Sequence, residues 1–358
     1  MPTKPLAAED LAHVLEHARS SFESLRDANL FVTGGTGFFG HWLLESLLYA
    51  NRELALNVRA TVLTRNAQRF AAKSPHIAGD AAITLLEGDV RGFAFPVERH
   101  THVVHAATDS GGQQVSLGLG ALAAAILEGT ERALQFAEHS GAGRLLYTST
   151  GAVYGRSTTL LHTPESYLES NNPSLPADSY EAAKREGELL CLRYEELNPV
   201  IARCFAFVGP HLPLDQHFAI GNFIGAAMDG RPIHIKGDGT PRRSWLYMSD
   251  LAVWLWTMLA EGEAGRAYNV GSDEGMSIAE AAQLTAATLR PGLAIQIDGV
   301  ADLAAALNSY VPDIARAREE LGLEVRVPLA EALRRTAVWC GSGRGGCLWF
   351  PGPGLLLR

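Results

Sequence analysis

Asn29-Leu30-Phe31-Val32-Thr33-Gly34-Gly35-Thr36-Gly37-Phe38-Phe39-Gly40 decides how the rest of the chain is read. Leu30, Phe31 and Val32 form a short apolar run, suited to a strand buried on both faces of a parallel sheet. Gly34, Gly37 and Gly40 follow at three-residue spacing. Beyond them Trp42, Leu43, Leu44, Leu47 and Leu48 recur at the spacing of one helix face. Strand, glycine-rich turn and helix start form the first unit of a dinucleotide-binding fold. A pyrophosphate would sit over the free amides of the helix N-terminus, where a side chain at any of the glycines would intrude. Tight packing alone also produces such turns, but the position between a buried strand and an amphipathic helix favours a nucleotide site.

Upstream, Leu11, Val14, Leu15, Ala18, Phe22 and Leu25 fall on one helical face, so a helix over about residues 8–25 is expected to cover the sheet or join a subunit contact. Downstream, strands are expected at Val58–Leu63, Ile83–Leu86, His102–His105 and Arg144–Thr148, with a long helix over 117–137. The alternation predicts one doubly wound parallel sheet of the α/β class. No acid ends the second strand; Arg65 stands there instead, and a guanidinium suits a ribose 2′-phosphate, which leans towards NADP over NAD. Asp89, after the third strand, is a candidate acceptor for an adenine amino group or a simple turn cap. Ala106 and Ala107, after the fourth, would let a bound cofactor approach closely. His100, His102 and His105 do not share one strand face, so no metal site is expected there.

The fifth strand leads into Thr148-Ser149-Thr150-Gly151-Ala152-Val153-Tyr154-Gly155, and further on stands Ser179-Tyr180-Glu181-Ala182-Ala183-Lys184. On a helix Tyr180 and Lys184 lie one turn apart on the same face. A free phenol has a pKa of roughly 10, and a nearby ammonium, acting directly or through a shared ribose, lowers it towards the range of a general base. The Thr150 hydroxyl can complete a proton path to a substrate alcohol.

These segments together resemble the extended short-chain dehydrogenase/reductases, in the NAD-dependent nucleotide-sugar epimerase/dehydratase branch. The resemblance runs from about Asn29 to Trp339. It rests on the glycine turn, Gly88-Asp89-Val90, His105-Ala106-Ala107, Val153-Tyr154-Gly155, Tyr180 with Lys184, the run Arg203 to Pro210, and Gly237 to Arg243. It implies a Rossmann-type sheet over 29–206 and a smaller, mainly substrate-binding lobe over 207–339 that returns segments to the sheet. A helical extension over 1–28 precedes them, and the Gly/Pro-rich 340–358 is expected to be disordered. By resemblance Gly34, Thr36, Gly37, Phe38, Phe39 and Gly40 hold the cofactor, with Arg65, Asp89, Val90, Ala106 and Ala107 along its length. Tyr180 is then the catalytic base or acid, Lys184 binds the nicotinamide ribose, Thr150 assists at the sugar hydroxyl, and Asn222 and Arg243 contact the substrate diphosphate. The long helices at 117–137 and 180–197 would form a homodimer contact.

Departures from the family pattern narrow the chemistry. Ser244 replaces a usual acid, and Ala206 and Ile126 replace usual asparagines. Gly151 and Ala152 stand where the best-known 4,6-dehydratases carry an Asp-Glu pair, and decarboxylases usually have a glutamate at the Ala152 position; neither residue moves protons. A 4-epimerase is therefore expected, with an NADPH-dependent 4-keto-sugar reductase as the alternative. Retention of both Tyr180 and Lys184 argues against a non-catalytic NAD(P) sensor. The composition is that of an ordinary globular protein, 47% hydrophobic and 19% charged, and the formal charge of -9 argues against a broad nucleic-acid or anionic-membrane surface. The four cysteines show no paired framework, and no apolar run reaches about 18 residues, so a cytoplasmic protein with reduced thiols is expected.

Overall fold

The computed structural model describes residues 2–107, 119–155, 160–167, 179–216, 218–302 and 307–341. The glycine-rich tail beyond Gly341, and Cys347 with it, lies outside the described residues. Seven parallel strands form the central sheet. They are β1 (Asn29–Thr33), β2 (Arg59–Thr64), β3 (Ile83–Glu87), β4 (His102–His105), β5 (Arg144–Thr150), β6 (Pro199–Cys204) and β11 (Ala267–Val270), in the spatial order β3-β2-β1-β4-β5-β6-β11. The order reverses between β1 and β4, and a doubly wound sheet opens its ligand crevice at such a switch point, beyond the carboxyl ends of the strands. This is the α/β Rossmann-type architecture that the sequence implied.

Alternation within each strand explains the two-sided burial. Leu30 and Val32 of β1 enter one apolar cluster and Phe31 the other; Val104 and Leu146 join the first, Val103, Leu145 and Tyr147 the second. On one side α3 (Phe38–Leu54) lays Trp42, Leu43, Leu44, Leu47 and Leu48 on the sheet. The other side carries α6 (Leu119–Ser140), packed along α7 (Ser179–Leu192). Between β2 and β3 come α4 (Ala67–Lys73) and α5 (Pro75–Ala78).

The amino-terminal segment forms two helices, α1 (Ala8–His17) and α2 (Arg19–Ser24), broken at Ala18. They pack on α3 and on α9 (Met248–Glu261), so they form an outer layer over helices rather than a cover for the sheet. Asp10 anchors that layer: it is 1% exposed and accepts from the Tyr247 hydroxyl and from Arg335 of α12 (Leu329–Gly341), both at 2.8 Å. Buried apolar residues on α1 and α2 place the segment; this buried ionic contact had no readable pattern.

Three small sheets build the remainder. Parallel β7 (Phe207–Val208) and β10 (Leu246–Tyr247) make one, and β8 (Ile233–Ile235) with β13 (Ile295–Ile297) another. In the third, β9 (Arg242–Arg243) lies between β12 (Met276–Ser277) and β14 (Ser309–Tyr310). The helices here are α8 (Ala219–Asp229), α10 (Ile278–Leu289), which carries a capping box from Ser277 and Glu280, and α11 (Ala315–Leu321).

Candidate active site

A cavity of about 930 Å³ opens over the carboxyl ends of β1 to β6. Its floor at one end is the glycine turn, where the glycines play different parts. Gly34 has φ +73°, and a Cβ on it would lie 2.3 Å from the Ala106 carbonyl oxygen. A Cβ on Gly40 would lie 2.2 Å from the Gly35 backbone. These two are fixed by close approach of protein to protein, and Gly40, placed by sequence among the cofactor contacts, does not line the cavity. Gly37 is the one whose side chain would enter the cavity: the nearest protein atom to an added Cβ is the Gly34 carbonyl at 3.4 Å. Thr36, Phe38 and Phe39 line the cavity beside it. The floor and the first turn of α3 thus present backbone amides to an open cradle, which fits the pyrophosphate of a dinucleotide. His41 braces the turn from behind, its Nδ1 lying 2.7 Å from the Gly37 carbonyl.

Along the same wall come Arg65, Asp89, Val90, Ala106 and Ala107, all lining the cavity as the sequence suggested. Asp89 accepts from the backbone and the guanidinium of Arg91, at 3.0 and 2.8 Å, and Arg91 lines the cavity too. Its carboxyl is held below the ordinary range chiefly by that Arg91 hydrogen bond. Asp89 is therefore a turn cap that also faces the cavity, and Arg91 is a second guanidinium that sequence reading missed. The histidines of this region bond threonines: His102 Nδ1 lies 2.8 Å from Thr101 Oγ1. His105 sits between Thr33 and Thr130, His100 bonds Thr61, and no metal-holding cluster occurs among the described residues.

At the far end Tyr180, Thr148, Ser149 and Thr150 line the cavity. Burial raises the Tyr180 phenol above its ordinary pKa, while the neighbouring Thr150 hydroxyl works in the opposite direction. Lys184 lies beneath the floor, 3% exposed, and its ammonium donates to the Thr148 carbonyl at 2.8 Å. The direct ammonium–phenol contact allowed by the helical spacing is not made, since β5 supplies the carbonyl instead, and Lys184, expected at the nicotinamide ribose, does not itself line the cavity. Burial lowers the Lys184 pKa to about 8.

The helix bearing this pair is tied to the sheet by a polar network with no signature in the sequence. Arg203 of β6 forks onto Glu188, two turns past Tyr180, with a shortest contact of 2.7 Å, and the Ser149 hydroxyl donates to the same carboxylate. Arg203 also donates to the Tyr154 hydroxyl, which donates to Asn269 of β11 at 2.6 Å. Asn269 in turn donates to the Asp313 carbonyl, just past β14.

The second lobe closes the cavity with Phe218, Ile220, Trp245, Arg243 and Tyr310. Arg243 is turned inward by β9 and donates to the Asn308 side chain and carbonyl; burial lowers its pKa. Asn222 departs from its expected place: its side chain is exposed on α8 and does not line the cavity. Ala219 and Ile220 occupy the cavity-facing side of that first turn, and Gly221 packs on the Pro213 carbonyl, which rotates position 222 outward. Ala206 and Ile126 line the cavity as apolar wall, and Ser244 is buried outside it. Tyr310, whose hydroxyl lies 3.3 Å from Thr150 Oγ1, was not singled out by sequence as a site residue. Only pairing of β14 with β9 brings it there.

The sheet, its switch-point cavity and the glycine turn together define a protein of the dinucleotide-binding class. The model of the NAD dependent epimerase/dehydratase family matches residues 30–271, and the chain belongs to that family, among the extended short-chain dehydrogenase/reductases. It is 27% identical to a dTDP-glucose 4,6-dehydratase of Streptomyces antibioticus, over 90% of this chain and 95% of that one. Identity is 33% to UDP-glucuronic acid decarboxylase 5 of Arabidopsis thaliana, over 57% of this chain and 60% of that one. Among solved structures, DesIV, a dTDP-glucose 4,6-dehydratase of Streptomyces venezuelae with NAD bound, superposes with a TM-score of 0.73 at 26% identity, covering 88% of this chain and 98% of that one.

Proposed function

We propose that the protein is a nucleotide-sugar 4-epimerase, with Thr150, Tyr180 and Lys184 as its catalytic set and NAD(P) as its cofactor. The observation that carries this reading is that the described cavity lining holds no second acid–base pair. Among the described residues lining the cavity the only carboxylate is Asp89, which is bonded to Arg91 at the β3 end. Gly151 and Ala152 follow Thr150 and supply no proton carrier. Dehydration across C5 and C6 and decarboxylation each need further proton transfer, whereas inversion at C4 needs one proton removed and one returned at the same oxygen.

When bound, the cofactor accepts and returns a hydride. The chain's own groups do the rest. The glycine turn and the first turn of α3 hold the pyrophosphate, Thr150 and Tyr180 take and restore the sugar hydroxyl proton, and Arg243 and the first turn of α8 favour the diphosphate of the substrate. The apolar wall of Ile126, Phe205 and Ala206 leaves a ketone free to turn over. Arg65 and Arg91 at the ends of β2 and β3 favour NADP in the same family frame, and with it the second reading, an NADPH-dependent 4-keto-sugar reductase. We further infer a cytoplasmic homodimer through α6 and α7; no helix among the described residues is long and apolar enough to cross a membrane. Purified protein offered UDP-, dTDP-, GDP- and CDP-hexoses should yield the C4-inverted sugar without net cofactor use. Stoichiometric NADPH consumption with a 4-keto sugar supports the reductase instead, and a 4-keto-6-deoxy product or released carbon dioxide refutes both.

A further inference from the structure

Tyr310 belongs to a segment 160 residues from Thr150 in sequence, and β14 delivers it as the register partner of Arg243 on β9. Its ring packs on Phe205 at 4.7 Å between centroids, and the Arg243 guanidinium lies 5.8 Å from its face. The ring is thus wedged, and its hydroxyl meets Thr150 Oγ1.

The Thr150–Tyr310 contact can form with either hydroxyl as the donor, and the two directions differ in consequence. A threonine hydroxyl has two acceptor sites and a single hydrogen. One acceptor site is taken by the Ala152 amide, which donates to Thr150 Oγ1 at 3.2 Å and starts the short helical turn after β5. The second faces the Tyr310 hydroxyl. Burial raises the Tyr310 pKa to about 12, so that phenol keeps its proton and has one to give. If Tyr310 donates, the single hydrogen of Thr150 is left for the third neighbour, the Tyr180 oxygen or the substrate oxygen that shares its place. If Thr150 donated to Tyr310, its hydrogen would point away from the chemistry.

We propose that Tyr310 is a positioning residue that holds the Thr150 hydroxyl in the orientation that donates to Tyr180, and so favours the ionised form of the catalytic phenol. This rests on the reading of Thr150 and Tyr180 as the acid–base pair. It differs from a packing role, since only the hydroxyl of Tyr310 is required.

Tyr310→Phe keeps the ring on Phe205 and removes the hydroxyl. In NAD-loaded protein the substitution should lower kcat for the nucleotide hexose about ten-fold with little change in KM, and move the acidic limb of the pH–rate profile about one unit upward. The same substitution in a Thr150→Val background should cost nothing further, because the group it orients is gone. An unchanged profile, or an undiminished Tyr310→Phe effect without Thr150, overturns the proposal. A second measurement needs no substrate. The Tyr180 titration, read as the phenolate absorbance difference between NAD-loaded protein with and without Tyr180→Phe, should shift upward when Tyr310 is also Phe. An unmoved titration overturns the role of Tyr310, whereas a wild type inactive on every nucleotide hexose overturns the functional reading alone.

Discussion

Lys184 offers a quantitative test of the site because its placement has a thermodynamic cost. The residue is 3% exposed, and its ammonium bonds one carbonyl, that of Thr148. Burial holds its pKa at about 8 against the ordinary 10.5. In the folded chain the amine loses its proton through pH 8, and in the unfolded chain about two and a half units higher. Between those values the unfolded state binds more protons, so this group makes stability rise with pH. Below pH 8 the folded protein carries the whole cost, roughly 3 kcal/mol at 1.36 kcal/mol per unit, and above the unfolded pKa it carries none. Lys184→Met fills a similar volume without the charge. Urea denaturation of cofactor-free wild type and variant at pH 7 and pH 9.5 isolates the effect. The lost hydrogen bond and altered packing are the same at both pH values and cancel, as do all other titrating groups. The stability of the variant relative to wild type should fall by about 2 kcal/mol between the two pH values. At pH 7, where wild type carries the ammonium, the proposed mechanism predicts that the variant loses turnover. A stability difference that stays constant with pH would refute the assignment of a buried, charge-strained lysine.

The glycine turn separates fold from ligand by two substitutions. Gly34→Ala, at φ +73° and against the Ala106 carbonyl, should destabilise the protein by about 2 kcal/mol or more, seen as a thermal shift without ligand. Gly37→Ala should leave stability within about 0.5 kcal/mol yet weaken NAD binding at least about ten-fold by calorimetry, since its methyl enters the cradle. Arg65→Ser should raise the NADPH dissociation constant about ten-fold and leave that of NADH unchanged; an equal effect on both removes the 2′-phosphate assignment.

Much of the frame was readable because its determinants are local. The apolar run at Leu30–Val32, the glycine spacing and the face of Trp42 to Leu48 each follow from neighbouring residues, and β4 falls at the expected residues. The ends of β2 and β5 extend further, to Thr64 and Thr150, because pairing with β3 and β6 continues past the apolar run. Tyr180 and Thr150 come together because one strand and the next helix bear them. What was not readable arises from pairing across long separations: Arg203 finding Glu188, Asp10 finding Arg335, and Tyr310 finding Thr150. The misplacement of Asn222 and Gly40 has a related cause. A motif fixes a residue's place in the chain, but the rotation of α8 and the packing of α3 on Gly35 decide what that residue faces.

The polar groups of the catalytic end bear on the reaction as a set. Its hydroxyls are Thr148, Ser149, Thr150, Tyr180 and Tyr310; Thr148 donates to the His105 carbonyl and Ser149 to Glu188. The walls around the rest are Ile126, Phe205 and Ala206. Among the described residues such a lining supports one proton path, running through Thr150 and Tyr180. A proton leaving by that path must return by it, so the hydroxyl it came from is the hydroxyl restored, and net change is confined to the configuration or oxidation state at that carbon. Placing a carboxylate next to Thr150 in the chain tests this: Ala152→Glu supplies a proton carrier at the position where decarboxylases usually have a glutamate. It should leave inversion at C4 detectable and add a trace of 4-keto-6-deoxy product from a hexose substrate, assayed by mass spectrometry of the nucleotide sugar pool. If wild-type protein already makes that product, a proton carrier other than these hydroxyls serves the site, and the inference from the lining fails.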